Sequence, residues 1–239
     1  MGAQPRRTRA GATPRAVGRA VEERVYLALR DEIERGLEPG TLLRLEMIAS
    51  RLGVSTMPVR AALGRLAADG LVRTQPRRGA IVAPLSLDDI EEIQAIRWGI
   101  EGLAARLGAQ AASEETLVAM RLHLADLEAA AGRGDRDAYL TATYALEDTC
   151  YLAAGRPRLV ATVRGYRRAA LRYVRLVVGT LGDLEVEPAR VFMAAAERGD
   201  GAAAERLIQG QVMLLLGEIA DGLAADPALS GRGGVDEAG

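Results

Sequence analysis

A mainly α-helical protein in two parts is what this sequence predicts: an N-terminal winged helix-turn-helix with a small β-hairpin wing, then a C-terminal all-α helical bundle. Three observations carry that reading. Residues 48–72, IASRLGVSTMPVRAALGRLAADGLV, hold two short apolar-faced segments about a glycine, and a basic hairpin pattern follows at once. From residue 87 to about 225, apolar residues recur at helical spacing and no convincing strand interrupts them. Charge divides in the same place. Residues 1–84 carry 15 Arg and 8 acids, net +7, whereas residues 85–239 carry 16 Arg and 24 acids, net −8. A basic head and an acidic body suit a DNA reader joined to a part that stays off DNA.

In chain order, residues 1–16 read as a disordered basic tail, either idle or touching phosphates as an arm. Val17–Arg35 is amphipathic, with Val21, Val25, Leu29 and Ile33 on one stripe, and it stops at Gly36 and Pro39-Gly40. In the helix-turn-helix, Ala49 and Leu52 face inward from the first helix, Gly53 makes the sharp connection and Val54 plugs the angle. Ser55 stands at the N-cap of the second helix, Pro58 falls in its first turn, and Val59, Leu63 and Leu66 form its buried stripe. Gly70 supplies the stop. Leu71–Thr74 and Ala80–Ala83 are short strands, with Arg77-Arg78-Gly79 at the turn. The first domain so delimited is 17–84.

Pro84-Leu85-Ser86 is a connector, and Ser86 caps a helix whose first turn holds Asp88, Asp89 and Glu91, as the helix dipole favours. Helices are expected near 87–111, 113–132, 135–154, 157–182, 186–198 and 200–225, with breaks at Ser113, Gly132–Gly134, Gly155–Pro157, Gly182–Glu187 and Gly199-Asp200. Residues 85–225 form the second domain and 226–239 a flexible tail.

These motifs carry a resemblance. Tyr26–Pro84 is similar to the N-terminal domain of GntR-family bacterial transcription regulators, through Pro39-Gly40, Gly53-Val54-Ser55, Pro58-Val59-Arg60, Ala62-Leu63, Leu66, Gly70-Leu71-Val72 and Arg78-Gly79. The rest resembles, more loosely, the FCD-type effector domain of the FadR subfamily. Its matches are Ile90–Ile93, Arg97, Glu101 and Leu103–Leu107 in the opening helix. Further on come Ala153-Ala154-Gly155 with Leu159, and Ala195 with Gly199-Asp200 and Ala203-Ala204. The resemblance implies a homodimer that binds a pseudo-palindromic double-stranded DNA operator, usually as a repressor, under control of a small-molecule effector, and the single cysteine makes a reducing cytoplasm the expected compartment.

DNA contacts are expected from Ser55, Thr56, Arg60, Arg65, Arg77, Arg78 and Gly79, with Arg60 the first choice for a guanine edge or the backbone. The sequence departs from its relatives at Thr56-Met57, where Arg-Thr is common, and at Ala61, where Glu is common. Thr56 cannot make an arginine's two-pronged guanine contact, so the family's operator does not carry over directly. For the effector, the candidates are Arg97, Thr143, Tyr144, Glu147, Arg172 and Gln211, with a carboxylate or a phosphate suited to the guanidinium of Arg97. Tyr151, Tyr166 and Tyr173 are further polar candidates. Arg97 equally reads as half of an Arg97–Glu101 pair on the helix surface.

Many FCD domains hold a divalent metal with one Asp and three His. The matching positions here are Thr143, Glu147, Ala189 and Gln211, a poor donor set, so no metal and no cofactor are expected. The single histidine, His123, reads as a surface or edge residue. The single cysteine, Cys150, lies in an apolar stretch and reads as buried filler. One cysteine forbids an internal disulfide. No apolar run approaches membrane-spanning length, and the first residues lack the apolar core of a signal peptide. With no His for a triad, no HExxH, no phosphate-cradling loop and no dinucleotide fingerprint, nothing supports an enzyme. The competing regulator reading makes the helical domain a dimerisation module alone.

Overall fold

The computed structural model describes residues 14–76, 78–180 and 184–226, with backbone alone at 14–17 and 176–180. Two compact units divide the chain, Met1–Ala83 and Pro84–Gly239.

In the first unit, α1 (Pro14–Glu34) precedes β1 (Leu42–Arg44), α2 (Leu45–Leu52), α3 (Thr56–Ala68), β2 (Val72–Gln75) and β3 (Gly79–Val82). The helix α1 begins three residues ahead of the expected Val17, inside the span read as a tail; residues 1–13 lie outside the described ones. Its stripe Val25, Leu29 and Ile33 packs with Ile48, Ala49, Val59, Ala62, Leu63 and Leu66 in one apolar core. Gly53 takes the left-handed conformation at the α2–α3 turn, and its N–H and that of Val54 return to the last carbonyls of α2. Ser55 holds the N-cap position of α3, but its side chain makes no capping hydrogen bond there.

The sheet has three strands in the order β1-β3-β2, antiparallel throughout. β1 was not expected. Three residues with the exposure pattern exposed–buried–exposed give almost no periodic signal, and only pairing with β3 makes Leu42–Arg44 a strand. Gly79, opposite Arg44 and Gln75, permits this: at φ +116° a Cβ would stand 2.1 Å from the Leu43 carbonyl oxygen.

The second unit is helical: α4 (Leu87–Ala111), α5 (Glu114–Arg133), α6 (Arg136–Ala153), α7 (Pro157–Thr180), α8 (Glu187–Glu197) and α9 (Gly201–Ala225). Four of these helices start at a side-chain cap. Ser86, Ser113, Asp135 and Asp200 each accept a hydrogen bond from the backbone N–H three residues on. α4 packs on α9, α7 and α6, and α5 on α6. Leu146, Cys150, Val163, Phe192 and Ile208 lie in the main core, and Ile90, Ala170, Tyr173 and Ile219 in a second cluster. Cys150 is buried, as expected, and burial pushes its thiol up to about 12. By length and composition alone α9 could cross a membrane, although no uninterrupted apolar run in it is that long. It carries Glu205, Arg206, Glu218 and Asp221, and sets Ala204, Ile208, Val212 and Ile219 into the bundle.

α4 and α6 approach closely because Gly108 has no side chain; a Cβ there would meet the Cys150 carbonyl oxygen at 2.2 Å. Gly108→Ala should therefore cost about 1–3 kcal/mol through overpacking. Gly99→Ala, on the same helix with nothing within 4 Å, should be neutral or gain up to about 1 kcal/mol. Thermal unfolding of the two variants checks the contrast, and equal shifts would contradict the close approach.

Candidate functional site

Two surfaces in separate units hold the candidate residues. In the first, burial of Val59, Ala62, Leu63 and Leu66 leaves Thr56, Met57, Arg60, Ala61 and Gly64 on the outer face of α3. Apart from Met57 and Arg60 these side chains are small, so the helix presents a shallow face that can lie deep in a groove. Met57 is 75% exposed, an apolar group with no packing role at the N-terminal end of that face. The residue counts only as a departure from the family in the sequence; exposure singles it out.

Ion pairing separates the arginines of this unit. Arg30, Arg35, Arg51 and Arg65 pair with Glu34, Asp31, Glu32 and Glu23 respectively. Arg65 donates to Glu23 at 2.6 Å and stacks 4.0 Å above the Tyr26 ring, while the Tyr26 hydroxyl donates to Asp69. Its guanidinium is thus a tie between α1 and α3. The side chains of Arg44, Arg60, Arg73 and Arg78, and of Arg19 and Arg24 on α1, are exposed and have no hydrogen-bond or ion-pair partner among the described residues. Arg44 on β1 and Arg73 on β2 escape a reading in which β1 is missing and Arg73 is just one strand residue. Arg78 follows the wing turn, where its N–H bonds the Gln75 carbonyl. Arg77 lies outside the described residues.

In the second unit the chemistry is buried. Glu101 on α4 is gripped by two guanidiniums: Arg97 Nε reaches Oε1 at 2.6 Å, and Arg167 Nε and Nη2 reach Oε2 at 2.8 and 2.6 Å. Arg167 also donates to Glu147, to the Tyr151 hydroxyl at 3.0 Å and to Asp148 at 3.1 Å. The rings of Tyr144 and Tyr151 lie 4.8 and 4.9 Å from its guanidinium carbon. Arg97, Glu101, Glu147 and Arg167 are each under 10% exposed. The Arg97–Glu101 pair therefore exists, but in the interior and not on the surface.

Burial alone would raise the Glu101 carboxyl, yet Arg167 and Arg97 hold it below the usual carboxylate range. Glu147 goes the other way. Its burial outweighs Arg167, the negative Glu101 adds to the rise, and it reaches about 7.

Beside this cluster a cavity of about 280 Å³ is lined by Arg97, Tyr139, Thr143, Tyr144, Glu147 and Gln211, among others. Arg97 uses Nε and Nη1 for Glu101 and Gln94, and its Nη2 makes no hydrogen bond among the described residues. Thr143 donates to the Tyr139 carbonyl. Arg172 is not among the lining residues: it lies over Tyr173, its guanidinium carbon 5.6 Å from the ring. Tyr173 instead donates to Asp89 and accepts from the Ser86 N–H, so Asp89 does more than begin a helix. Tyr166 packs in the second apolar cluster.

Arg167 was missed. The signal was there: on α7, Val160, Val163, Ala170 and Val174 form a buried stripe, and Arg167 stands in the middle of it. Glu147 does the same between Tyr144 and Tyr151 on α6. Charges inside an apolar stripe at helical spacing mark a buried polar site.

The geometry also tests the metal that many FCD domains hold. Thr143, Glu147 and Gln211 reach the cavity, but Ala189 is packed in the core with a methyl group only. The one carboxylate of the set is already bound to Arg167. Among the described residues no group of three His, Cys, Asp or Glu can hold a metal ion. These residues do not fit a divalent cation.

Comparison with known proteins decides the family. The profile described as bacterial regulatory proteins, gntR family, matches residues 21–82, and that of the FCD domain matches residues 92–211. A protein of Paenarthrobacter nicotinovorans named "Probable D-xylose utilization operon transcriptional repressor" is 30% identical over 213 residues, 87% of this chain and 88% of that protein. The chain belongs to the GntR family. An uncharacterised HTH-type transcriptional regulator of Agrobacterium vitis, from the TAR-I ttuE-ttuC' intergenic region, is 39% identical over 104 residues, 43% of this chain and 60% of that relative. It and other matched HTH-type regulators are covered over only 40–60% of their length. The solved structure of E. coli McbR/YncC shares the fold, with TM-score 0.70 and 22% identity over 82% of this chain and 96% of that one. This GntR-family fold is thus a winged helix-turn-helix with a helical FCD domain.

Arg167→Leu should cost about 3–5 kcal/mol, because it removes the guanidinium from the buried Glu147 and leaves Glu101 with Arg97 alone. Glu147→Gln should instead change the pH dependence. The folded-state value of Glu147 lies above its ordinary 4.5, so its contribution is full below that pH and is lost as pH rises through about 7. From pH 5 to 8 wild type should lose stability relative to the glutamine variant, by up to about 3 kcal/mol. Parallel urea-unfolding curves at the two pH values would show that Glu147 does not titrate there.

Proposed function

We propose that this protein is a sequence-specific DNA-binding transcriptional repressor whose FCD domain binds a small carboxylate effector without a metal. The observation that carries the DNA half is the sorting of arginines. Arg51 and Arg65, which tie α2 and α3 to α1, are paired. Arg60 on the recognition helix and Arg44, Arg73 and Arg78 on the sheet and wing, like Arg19 and Arg24 on α1, have no side-chain partner among the described residues and can meet phosphates or bases. Arg60 reads a guanine edge or a phosphate, Ser55 and Thr56 stand at the helix start, Gly79 lets the wing close, and Met57 offers an apolar contact for a thymine methyl. Arg65 is left to structure. A single winged helix covers one half-site, so a homodimer on a pseudo-palindrome is the working assembly in the cytoplasm.

The effector half rests on Arg97. Its free Nη2 suits a carboxylate, and Thr143, Gln211 and the acid Glu147 suit hydroxyl or amide groups on the same ligand. A volume of about 280 Å³ favours a small acid over a drug-sized molecule, for which roughly 300–1,000 Å³ is usual. The effector regulates by binding DNA-competent and DNA-incompetent states unequally, and DNA shifts effector affinity by the same factor. Loss of the metal donors favours a second reading, a domain that only dimerises.

Selection from random duplex pools should yield a preferred site. Arg60→Ala should weaken it by about 1–3 kcal/mol at fixed salt, whereas Arg65→Ala should lower thermal stability and leave site preference in place. Equal binding to random competitor would remove the DNA reading. Against a panel of organic and sugar acids, a true effector at 100-fold its Kd should add about 2.7 kcal/mol of stability. Gln211→Ala should abolish that gain. If no acid stabilises the protein, the dimerisation reading stands.

A further inference from the structure

A second cavity, of about 230 Å³, opens between α6 and α7, with Asp137 and Leu140 of α6 facing Arg164, Arg168, Leu171 and Arg175 of α7. It shares only Leu140 and Tyr144 with the cavity next to Arg97. Arg164, Arg168, Leu171 and Arg175 stand at i, i+4, i+7 and i+11 on α7, one face of the helix. The density of positive charge is anomalous. The span of α7 holds six Arg and no Asp or Glu, inside a unit whose net charge is −8.

The arginines here are not all used. Arg164 is bound to Asp148 at 2.6 Å, and Arg167 belongs to the buried cluster. Arg168 is exposed and has no ion or hydrogen-bond partner among the described residues. Arg175 meets the largely exposed Asp137 at 3.2 Å, and its Nε is buried with no hydrogen-bond partner. A buried unmade donor carries a cost that an acceptor in the cavity would remove. Arg97 included, five guanidiniums stand against Asp137, Asp148, Glu101 and Glu147, a positive surplus. A carboxylate offers two oxygens to such donors, whereas a phosphate ester offers three on a tetrahedral centre and carries more charge.

We propose that the α6–α7 groove is a binding site for a small phosphate monoester, with Arg168 and Arg175 as the principal ligand-binding side chains and the apolar Leu140 and Leu171 beside them. The site is distinct from the effector cavity and stands without it. The shared chemistry is the phosphate group; a free inorganic ion and an organic ester are its two sources.

Full-length protein is titrated calorimetrically with inorganic phosphate, glycerol 3-phosphate and glycerate at constant ionic strength. Glycerol 3-phosphate should bind at least tenfold more tightly than glycerate, which has the same skeleton with a carboxylate. It should also bind more tightly than inorganic phosphate if the apolar wall is used; equal binding of the two assigns the site to the free ion, and tighter binding to the ester. Arg168→Ala and Arg175→Ala should each raise the Kd tenfold or more. Arg168 is exposed and makes no ion pair or side-chain hydrogen bond among the described residues, so its variant should unfold at the wild-type temperature. Gln211→Ala, in the other cavity, should leave phosphate binding intact, which separates this site from the carboxylate one. Glycerate binding as tightly as glycerol 3-phosphate, or phosphate binding indifferent to both arginine variants, would overturn the assignment. So would displacement of the phosphates by duplex DNA through these arginines.

Discussion

Glu101 is the point on which the helical unit turns. One carboxylate, almost wholly out of water, is shared by Arg97 from its own helix and Arg167 from α7, and Arg167 extends the link to Glu147 and Tyr151 on α6. Isolated charges at that depth would be prohibitive, and removal of one partner leaves the others unbalanced. Three helices are therefore held in one mutual arrangement by directional bonds, where apolar packing alone tolerates sliding. Buried ion pairs seldom add stability over well-packed hydrophobic residues. Their consequence here is geometric: they fix the polar wall of the cavity into which Arg97 presents its remaining N–H groups.

The same cluster accounts for the altered chemistry of the FCD domain. A divalent cation and a guanidinium both compensate buried carboxylates, but the cation also needs neutral imidazoles and open coordination positions. This chain has a threonine, an alanine and a glutamine at the matching places, and Arg167 meets the remaining Glu147. Positive charge is supplied by the protein itself. Because Glu147 is shared between burial, which raises its carboxyl, and Arg167, which opposes the rise, the charge of the cluster is sensitive to pH near neutrality.

In the winged unit the controlling feature is which cations are already satisfied. Arg65 and Arg60 are five residues apart on one helix and look alike as letters. The first leans onto Tyr26 and Glu23 of α1, while the second faces outward with no side-chain partner among the described residues. A charge bound to its own protein has lost most of its field at a distance, so the arginines unpaired among the described residues, Arg44, Arg60, Arg73 and Arg78 with Arg19 and Arg24 on α1, weigh most in what an approaching polyanion meets.

Helices and their ends were legible from residues alone, since caps such as Ser113, Asp135 and Asp200 and the spacing of apolar side chains are local properties. So were the helix-turn-helix, the hairpin and the loss of metal donors, each written in residue types at fixed intervals. Tertiary structure decided the rest. β1 exists only because β3 lies beside it, Arg172 turns onto Tyr173 and not into the cavity, and the Arg97–Glu101 pair is interior because α6, α7 and α9 close over it. The physical reason is common to all three: strand pairing, ion pairing and burial depend on neighbours distant in the chain, and a local pattern names what a residue can do but not whom it meets.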